Sequence, residues 1–238
     1  MASETWLQIY KDRNAFWAHD GNIKRPHVEM SAGDHSDVFF DSELIMEDPL
    51  LLDRAARELA QKLIAAGMDP RDPMRAVGPA MGAIKIAHDV ARVIAKARDT
   101  RCFSSYVEKD QAEGMIFKRT KVLPEEKVLI TEDVITSGRS VELTANAIIK
   151  VGGIVLPYVV CLVNRSGHKD IGGKKILSLI EYEAPKMTPA ECAHHGLCSK
   201  GSVAIKAKLG DGWERLNAKY DDVEVIEGSW KPSEEKKK

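Results

Sequence analysis

The chain has 238 residues, of which 44% are hydrophobic and 30% charged, and its formal net charge at pH 7 is -1. This composition predicts one domain of α/β size with appendages, and it gives no support for binding to nucleic acids or to a membrane surface. No apolar run is long enough to cross a bilayer, and the first residues lack the pattern of a secretory signal. Four cysteines do not make a disulfide framework in a chain of this length, so we expect a reducing, cytoplasmic setting.

The first fifth of the chain predicts a helix, a short strand and a second helix. Large apolar side chains recur at helical spacing over residues 3–19, which predicts an amphipathic helix. A short strand is expected at Val38–Phe40, and His35 and Ser36 just before it form either a solvated turn or a substrate-contacting loop. Asp48-Pro49 then begins a helix, with a capping carboxylate followed by proline at the first helical position.

A strand, a glycine-containing loop and a helix come next. The strand is expected at Arg75–Val77, the loop at residues 78–83 and the helix at about residues 84–97. Gly78 and Gly82 permit close approach of the backbone to an anion, although such a loop is weak evidence by itself. Because the chain contains no GxxxxGK[ST] motif, a P-loop nucleotide hydrolase is not expected.

A charged segment, residues 108–119, follows a predicted strand at Cys102–Val107. Its polar residues and Gly114 favour either a mobile loop or hairpin tip over a site, or a solvated surface hairpin. Lys109 and the pair Lys118-Arg119 are the cations within it that are able to reach a diphosphate.

The most informative stretch is a buried strand, Val128–Glu132, that ends in two adjacent carboxylates, Glu132 and Asp133. The hydroxyl-rich loop Thr136–Ser140 and a helix at Val141–Val151 follow it. Backbone N–H groups, hydroxyls and a helix N-terminus suit a phosphate, whereas the carboxylates suit sugar hydroxyls or a hydrated Mg²⁺. The alternative is a buried strand with a capped helix behind it. With the glycine loop upstream, the pattern indicates a ligand with two phosphate groups, such as phosphoribosyl diphosphate.

A long apolar strand, Ile154–Val163, ends in Asn164-Arg165-Ser166-Gly167. At the carboxyl end of a strand, Arg165 is able to bind a carboxylate or a planar acceptor through two parallel hydrogen bonds. An arginine exposed in a turn is the alternative. One more strand is expected at Lys175–Glu181.

The last part of the chain contains a capping box at Thr188–Glu191 and a group of metal-ligand types. The group contains two cysteines and two histidines within seven residues, namely Cys192, His194, His195 and Cys198. Its spacing matches no common zinc pattern, and no second ligand pair is evident elsewhere, so metal binding is left open. We expect a domain over residues 1–200, with an extension over 201–238 whose charged end is disordered.

The motifs together resemble those of type I phosphoribosyltransferases. VLITEDVITSGRS resembles that family's phosphoribosyl-diphosphate motif. SAGDHSDVFFDS, GPAMGAIKIAHDVA and CLVNRSG resemble segments of orotate phosphoribosyltransferases, and KDQAEG is similar to their loop form KDHGEG. The resemblance covers roughly residues 20–200. It implies a mostly parallel central sheet flanked by helices, a small N-terminal hood and a flexible loop.

The resemblance implies the reaction of orotate with phosphoribosyl diphosphate, assisted by Mg²⁺ held mainly through the donor. It also implies a homodimer in which Lys109 acts as a catalytic residue in the neighbouring subunit's site, together with Asp133 and Glu132 of that site. The ribose, together with its 5′-phosphate, would contact Glu132, Asp133, Thr136, Ser137, Gly138, Arg139 and Ser140. The diphosphate loop would be Gly78, Pro79, Ala80, Met81 and Gly82. Orotate would contact His35, Ser36, Phe39, Phe40 and Arg165.

The chain departs from the family pattern at several charged positions. Gln111 replaces a loop histidine, and Ser105 and Tyr106 occupy the places of an Arg-Lys pair. Gly82 follows Met81 where a lysine is often found, and Arg139 stands where a small residue is usual. The diphosphate charge is therefore expected to be shared by Lys85, Lys109, Lys118 and Arg119. A transferase for another base and a non-catalytic regulator that binds phosphoribosyl diphosphate stay open as alternatives.

Overall fold

The computed structural model describes residues 2–69, 71–112, 114–184 and 186–219. The chain divides into two compact units. The first unit comprises Met1–Ala18 and Asp37–Lys186, and the second comprises His19–Ser36 and the chain from Met187 onward. The domain boundary expected at residue 200 falls inside the second unit, and the tail expected to be disordered lies, from residue 220, outside the described residues.

The described residues form strands and helices with the following bounds. The strands are β1 (Phe16–Ala18), β2 (His27–Glu29), β3 (His35–Ser36), β4 (Val38–Phe40), β5 (Arg75–Pro79), β6 (Phe103–Asp110), β7 (Gly114–Ile116), β8 (Lys127–Ile135), β9 (Ile154–Asn164), β10 (Asp170–Ile171), β11 (Lys174–Glu181) and β12 (Ala204–Lys206). The helices are α1 (Ala2–Asp12), α2 (Glu43–Met46), α3 (Pro49–Ala65), α4 (Ile84–Arg98), α5 (Arg139–Lys150), α6 (Pro189–His195) and α7 (Gly212–Asn217), and a 3-10 turn covers Cys198–Lys200.

The first unit is built around a seven-stranded sheet in the order β10-β11-β9-β8-β5-β6-β7. The five central strands are parallel, and the two edge strands β10 and β7 are antiparallel to their neighbours. Side chains of β8 alternate between two cores: Leu129 packs with α3 and α4, whereas Val128 and Ile130 pack with α5. A parallel sheet covered on both faces explains why its central strands are almost continuously apolar. The predicted α/β fold is confirmed.

The direction in which the chain is wound reverses between β5 and β8. From β5 the chain passes through α4 to β6 on one side, and from β8 it passes through α5 to β9 and β11 on the other. The carboxyl ends of β5 and β8 therefore lie side by side at a topological switch point, where open α/β sheets bind their ligands.

The N-terminal helix is shorter than predicted. It ends at Asp12, and Phe16–Ala18 forms β1, antiparallel to β4. Asn14 takes a left-handed conformation with φ of 53°, and the N–H of Ala15 donates to the Tyr10 carbonyl at 2.7 Å. A left-handed residue ends a helix, so the aromatic residues that extended the helical pattern belong to a strand instead.

The second unit contains a three-stranded sheet in the order β12-β2-β3. Its described residues belong to neither of the two large hydrophobic clusters, and its small core includes Val28, Ile205 and Leu216. Thr188 caps α6 through the predicted capping box with Glu191. Across both units, none of the helices in the described ranges combines the length and apolar character needed to cross a bilayer.

Candidate active site

The two adjacent carboxylates occupy the carboxyl-terminal part of β8. The side chain of Glu132 is buried, that of Asp133 is partly exposed, and the Asp133 N–H donates to Glu132 Oε1 at 3.2 Å. Burial, reinforced by the charge of Asp133, raises the pKa of Glu132 well above its ordinary value. The pair thus offers one carboxyl group that retains its proton readily and a neighbouring carboxylate that is open to a ligand.

The loop after β8 is held by a glycine at its tightest point. Gly138 has φ of 80°, and a Cβ there would lie 2.7 Å from Cδ1 of Ile171. Glycine is favoured on both counts, because the left-handed region disfavours other residues and a Cβ would have to displace the Ile171 side chain. Helix α5 begins at Arg139, two residues earlier than predicted, so Arg139 and Ser140 lie in its first turn. The first N–H groups and the positive end of the helix dipole face this loop.

The loop after β5 is equally constrained. A Cβ at Gly78 would lie 2.6 Å from the Ala83 carbonyl oxygen and 2.9 Å from Oγ1 of Thr131 on β8. The Ala80–Met81 peptide bond is cis, and the Met81 side chain is largely exposed. The structure thus places backbone groups, rather than side chains, against β8.

The two loops meet at the switch point. A Cβ at Gly82 would lie 2.7 Å from Oδ2 of Asp133. The backbone of the first loop therefore passes directly against the carboxylate that precedes the second. The sequence predicted that these loops cooperate, and the structure brings Gly82 and Asp133 into contact.

Arg165 lies on the other side of the second loop. Its N–H donates to the Ile135 carbonyl at 2.9 Å, and its Nη1 donates to the Val38 carbonyl at 2.8 Å. Burial lowers the pKa of Arg165 to about 10, so the guanidinium stays charged at neutral pH. Arg165 and Thr136 line an open pocket of about 440 Å³, and its wall also includes Ser166, Glu183, Ala184 and Lys186. Glu183 and Lys186 were not predicted, because no motif marks them.

The residues expected near orotate are distributed over both units. Phe40 is 3% exposed and packs in an aromatic cluster with Tyr10, Phe16 and Tyr182, so it supports β4 from inside the core. Phe39 is partly exposed. His35 and Ser36 form β3 in the second unit. Contacts of these residues with orotate stay predictions.

Lys109 lies near the end of β6, in a hairpin with β7. Its side chain is exposed, and its carbonyl accepts a hydrogen bond from Nζ of Lys118 at 3.1 Å. A Cβ at Gly114 would lie 3.1 Å from Cδ2 of Leu143, so the hairpin packs against α5. Of the predicted forms of this segment, the structure shows the hairpin. Glu113, which matches the family's loop, lies outside the described residues.

The departures from the family pattern have structural counterparts. Ser105 is buried in β6, and its Oγ accepts a hydrogen bond from Nη1 of Arg75 at 2.5 Å. Nε of Arg75 in turn pairs with Oε1 of Glu126 at 3.0 Å in a buried ion pair. Position 105 is therefore part of a polar cluster in which Arg75 already supplies a guanidinium.

Two of the other cations expected to serve the diphosphate have carboxylate partners. Lys85 pairs with Glu43 at 3.0 Å, and Arg119 pairs with Glu108 at 3.5 Å. Together with the hydrogen bond from Lys118, these contacts leave Lys109 as the expected cation whose exposed ammonium makes no hydrogen bond or ion pair with the described residues.

A parallel sheet with two glycine-containing loops at its switch point defines an α/β protein of the kind that binds a ligand at that edge of the sheet. A family model described as "Phosphoribosyl transferase domain" matches residues 47–189, and the chain belongs to this family. The orotate phosphoribosyltransferase of Carboxydothermus hydrogenoformans is 29% identical over 180 residues, which cover 76% of this chain and 87% of that relative. The enzyme of the same name from Parvibaculum lavamentivorans is 31% identical over 169 residues, which cover 71% of this chain and 82% of that relative.

Solved structures show the same fold. The orotate phosphoribosyltransferase of Aeropyrum pernix superposes with a TM-score of 0.54 at 21% identity, covering 73% of this chain and 92% of that one. That of Mycobacterium tuberculosis superposes with a TM-score of 0.54 at 19% identity, covering 76% and 97%. The resemblance identified from the sequence is thereby confirmed at the level of the family and the fold.

Proposed function

We propose that this phosphoribosyltransferase transfers the phosphoribosyl group from phosphoribosyl diphosphate to orotate, giving orotidine 5′-phosphate and diphosphate. The observation that carries the proposal is the contact between Gly82 and Asp133, which joins the two loops into one cradle. A donor with phosphate groups at both ends of a ribose matches a cradle of this kind. Orotate as the acceptor is supported by the similarity to named orotate phosphoribosyltransferases and by the pocket shared by Thr136 and Arg165.

Each residue of the cradle has a role that follows from its chemistry. The N-terminal turn of α5 and the hydroxyls of Thr136, Ser137 and Ser140 bind the 5′-phosphate. Asp133 and Glu132 hold the ribose hydroxyls. The backbone of Gly78–Gly82 lies along the diphosphate.

The reaction breaks the bond between C1 of ribose and an oxygen of diphosphate. Diphosphate leaves with the electron pair of that bond, while the orotate ring nitrogen supplies the pair for the new bond and its proton passes to solvent. Negative charge grows on the leaving group, so preorganised N–H groups and the ammonium of Lys109 stabilise the transition state. The charged guanidinium of Arg165 orients orotate by pairing with the carboxylate of orotate.

The donor set also fits Mg²⁺. Mg²⁺ is bound in many enzymes through one or two carboxylates together with substrate phosphates, and partly exposed Asp133 lies against the diphosphate loop. When bound, the ion neutralises charge on the diphosphate. Asp133, the carboxylate open to a ligand, is the residue that would hold it.

The first experiment tests the acceptor. The protein is mixed with Mg²⁺, phosphoribosyl diphosphate and orotate, and the ultraviolet absorbance of orotate is followed, with adenine, hypoxanthine and uracil in parallel. Consumption of orotate, with none of the other three bases consumed, supports the proposal. Turnover of another base would reassign the acceptor, and no turnover with any base would favour a regulator that binds the donor.

The second experiment tests Lys109. Lys109→Ala should lower kcat by about 100-fold with little change in donor binding, because the ammonium acts on charge that develops in the transition state. Lys121→Ala, an exposed lysine outside the proposed site, is the control and should keep wild-type turnover. Unchanged turnover in Lys109→Ala would remove Lys109 from the mechanism.

The third experiment tests the homodimer. If Lys109 serves the partner's site, mixing Lys109→Ala chains with Asp133→Ala chains should restore about a quarter of wild-type activity, since half of the dimers are hybrids with one complete site. Restoration would fail if each chain completed its own site.

A further inference from the structure

The second unit brings together two histidines and two cysteines that lie far apart in the sequence. Nε2 of His27, Nδ1 of His35, and Sγ of Cys192 and of Cys198 all lie within 4.8 Å of one another. His27 is separated from Cys192 by 165 positions, so no local motif reveals this group. The exposed residues His194 and His195, the neighbours considered from the sequence, are not members of it.

Four of the six distances between the donor atoms match the edges of a tetrahedron around one ion, and the other two are within 4.8 Å. Nε2 of His27 lies 3.2 Å from Nδ1 of His35, and Sγ of Cys198 lies 3.4 Å and 3.3 Å from these two nitrogens. Sγ of Cys192 lies 3.5 Å from Nε2 of His27. Zinc bonds of about 2.05 Å to nitrogen and 2.3 Å to sulfur give edges of about 3.3 Å between nitrogens and 3.6 Å between nitrogen and sulfur.

The backbone explains why these four side chains converge. Glu29 on β2 is directly opposite His35 on β3, so His27, two residues before Glu29, is on the same face as His35 and diagonal to it. His35 also exchanges backbone hydrogen bonds with Met187, two residues before the start of α6. Cys192 lies on α6 and Cys198 on the 3-10 turn that follows.

Hydrogen bonds favour the metal-binding form of two of the donors, His27 and Cys192. The hydroxyl of Ser202 donates to the Arg25 carbonyl at 2.7 Å, so its oxygen accepts from Nδ1 of His27 at 2.9 Å. Nε2 of His27 is then the unprotonated nitrogen that faces the cysteines, the arrangement found around metal-bound histidines. The N–H of Cys198 lies 3.4 Å from Sγ of Cys192 and donates to it, which stabilises a thiolate ligand.

A tight turn between the cysteines leaves no room for a side chain. A Cβ at Gly196 would lie 2.8 Å from both Cα and Sγ of Cys192. The second unit also contributes nothing to the two large hydrophobic clusters of the described residues, and a small unit with little apolar core is the setting in which a metal supplies stability.

We propose that His27, His35, Cys192 and Cys198 form a structural zinc site that ties the β2–β3 hairpin to the segment carrying α6. Four protein ligands close the coordination shell, so the ion has a structural rather than a catalytic role. Convergence of all four donors on one point favours a single ion over a two-iron cluster, in which the histidines and cysteines bind different iron atoms. The proposal is independent of the acceptor base and of turnover.

The test begins with the metal content of the full chain, purified without a histidine tag or chelator. Elemental analysis should find about one zinc ion per chain. The Cys192→Ser/Cys198→Ser variant should lose the zinc, whereas the matched variant His194→Ala/His195→Ala, altered twice in the same segment, should retain it. Zinc retained by the cysteine variant, or lost equally by both variants, would overturn the assignment.

A measurement on the unaltered protein guards against a variant that fails to fold. X-ray absorption at the zinc edge should show two sulfur ligands at about 2.3 Å and two nitrogen ligands at about 2.05 Å. Cobalt-substituted protein should show thiolate-to-cobalt charge transfer and the intense visible bands of tetrahedral Co²⁺. Coordination by nitrogen and oxygen alone, or no zinc after reconstitution of the reduced protein, would overturn the proposal.

Discussion

The backbone of Gly82 lies against the carboxylate of Asp133, at a distance that leaves a Cβ on residue 82 only 2.7 Å from Oδ2. The φ of Gly82 is outside the left-handed range, so a side chain at this position is opposed by the contact with Asp133 rather than by the backbone conformation. A residue larger than glycine here would have to displace the carboxylate.

Gly82→Ala should therefore displace Asp133 or the loop and lower kcat/KM for phosphoribosyl diphosphate by about tenfold or more, equivalent to about 1.4 kcal/mol. Steady-state kinetics in a double-mutant cycle measures the coupling. In the Asp133→Ala background the carboxylate is absent, so Gly82→Ala should lower kcat/KM much less. If the two substitutions lowered kcat/KM by independent factors that multiply in the double variant, the effect of Gly82→Ala would not arise from its contact with Asp133.

Gly138→Ala should weaken donor binding and stability together. Gly138 and Gly173 both have positive φ, but a Cβ at Gly138 would meet Ile171 at 2.7 Å, whereas none of the described atoms lies within 4 Å of a Cβ at Gly173. In both alanine variants the free energy of unfolding should fall by about 1 kcal/mol, because alanine is strained in the left-handed region. Only Gly138→Ala should also raise KM for the donor, because it moves the N-terminus of α5.

Thermal unfolding and donor KM, measured for both variants, separate strain from packing. If Gly173→Ala raised KM as much as Gly138→Ala, the position of the phosphate loop would not depend on Ile171.

The sequence predicted the sheet and the two loops because the determinants of each are local. Val128–Ile130 is apolar on both faces, as a central parallel strand must be, and Glu132 and Asp133 mark where it reaches the ligand edge. Asp48 caps α3 as expected, with Oδ1 accepting from the N–H of Leu50 at 3.0 Å. In each case the pattern and the interaction lie within a few residues of one another.

The features that the sequence did not predict depend on contacts between distant segments. The partners of Cys192 and Cys198 are His27 and His35, which reach them through the pairing of β2 with β12 and of His35 with Met187. His194 and His195 are nearer in sequence but point to solvent. Ligand proximity along the chain was therefore a poor guide to proximity in space.

The buried carboxyl of Glu132 should make stability fall as pH rises. Burial and Asp133 raise its pKa well above 4.5 in the folded protein, so the folded state retains a proton that the unfolded state has lost. Between pH 4.5 and the raised pKa, the folded protein binds more protons, and the free energy of unfolding declines with pH. Above the raised pKa, this contribution is constant.

Glu132→Gln removes that titration and should flatten the dependence. Urea unfolding of wild type and variant across pH 5 to about 9 measures the difference in slope directly. The titratable neighbours of Glu132 are the same in both proteins. They are Asp133 and Cys161, and Cys161 on β9 is paired with Glu132 on β8. Parallel curves for the two proteins would show that Glu132 titrates normally.

Breaking the buried ion pair between Arg75 and Glu126 should strongly destabilise the first unit. The two side chains are 10% and 4% exposed, and Oε2 of Glu126 also accepts the N–H of Leu123 at 2.9 Å. Glu126→Ala leaves a buried guanidinium without its carboxylate, which should cost about 3 to 5 kcal/mol. The matched variant is Glu181→Ala, which breaks an exposed pair with Lys169 and should cost less than about 1 kcal/mol.

Ser105→Arg places at position 105 the arginine that is expected there from the family pattern. This variant tests the same polar cluster by adding a charge to it. Because Oγ of Ser105 accepts from Arg75 inside the sheet, the new guanidinium would face an existing one without a further carboxylate. We expect a lower urea midpoint than wild type and no gain in turnover. A stable Ser105→Arg protein with higher activity would show that position 105 faces the diphosphate rather than the interior.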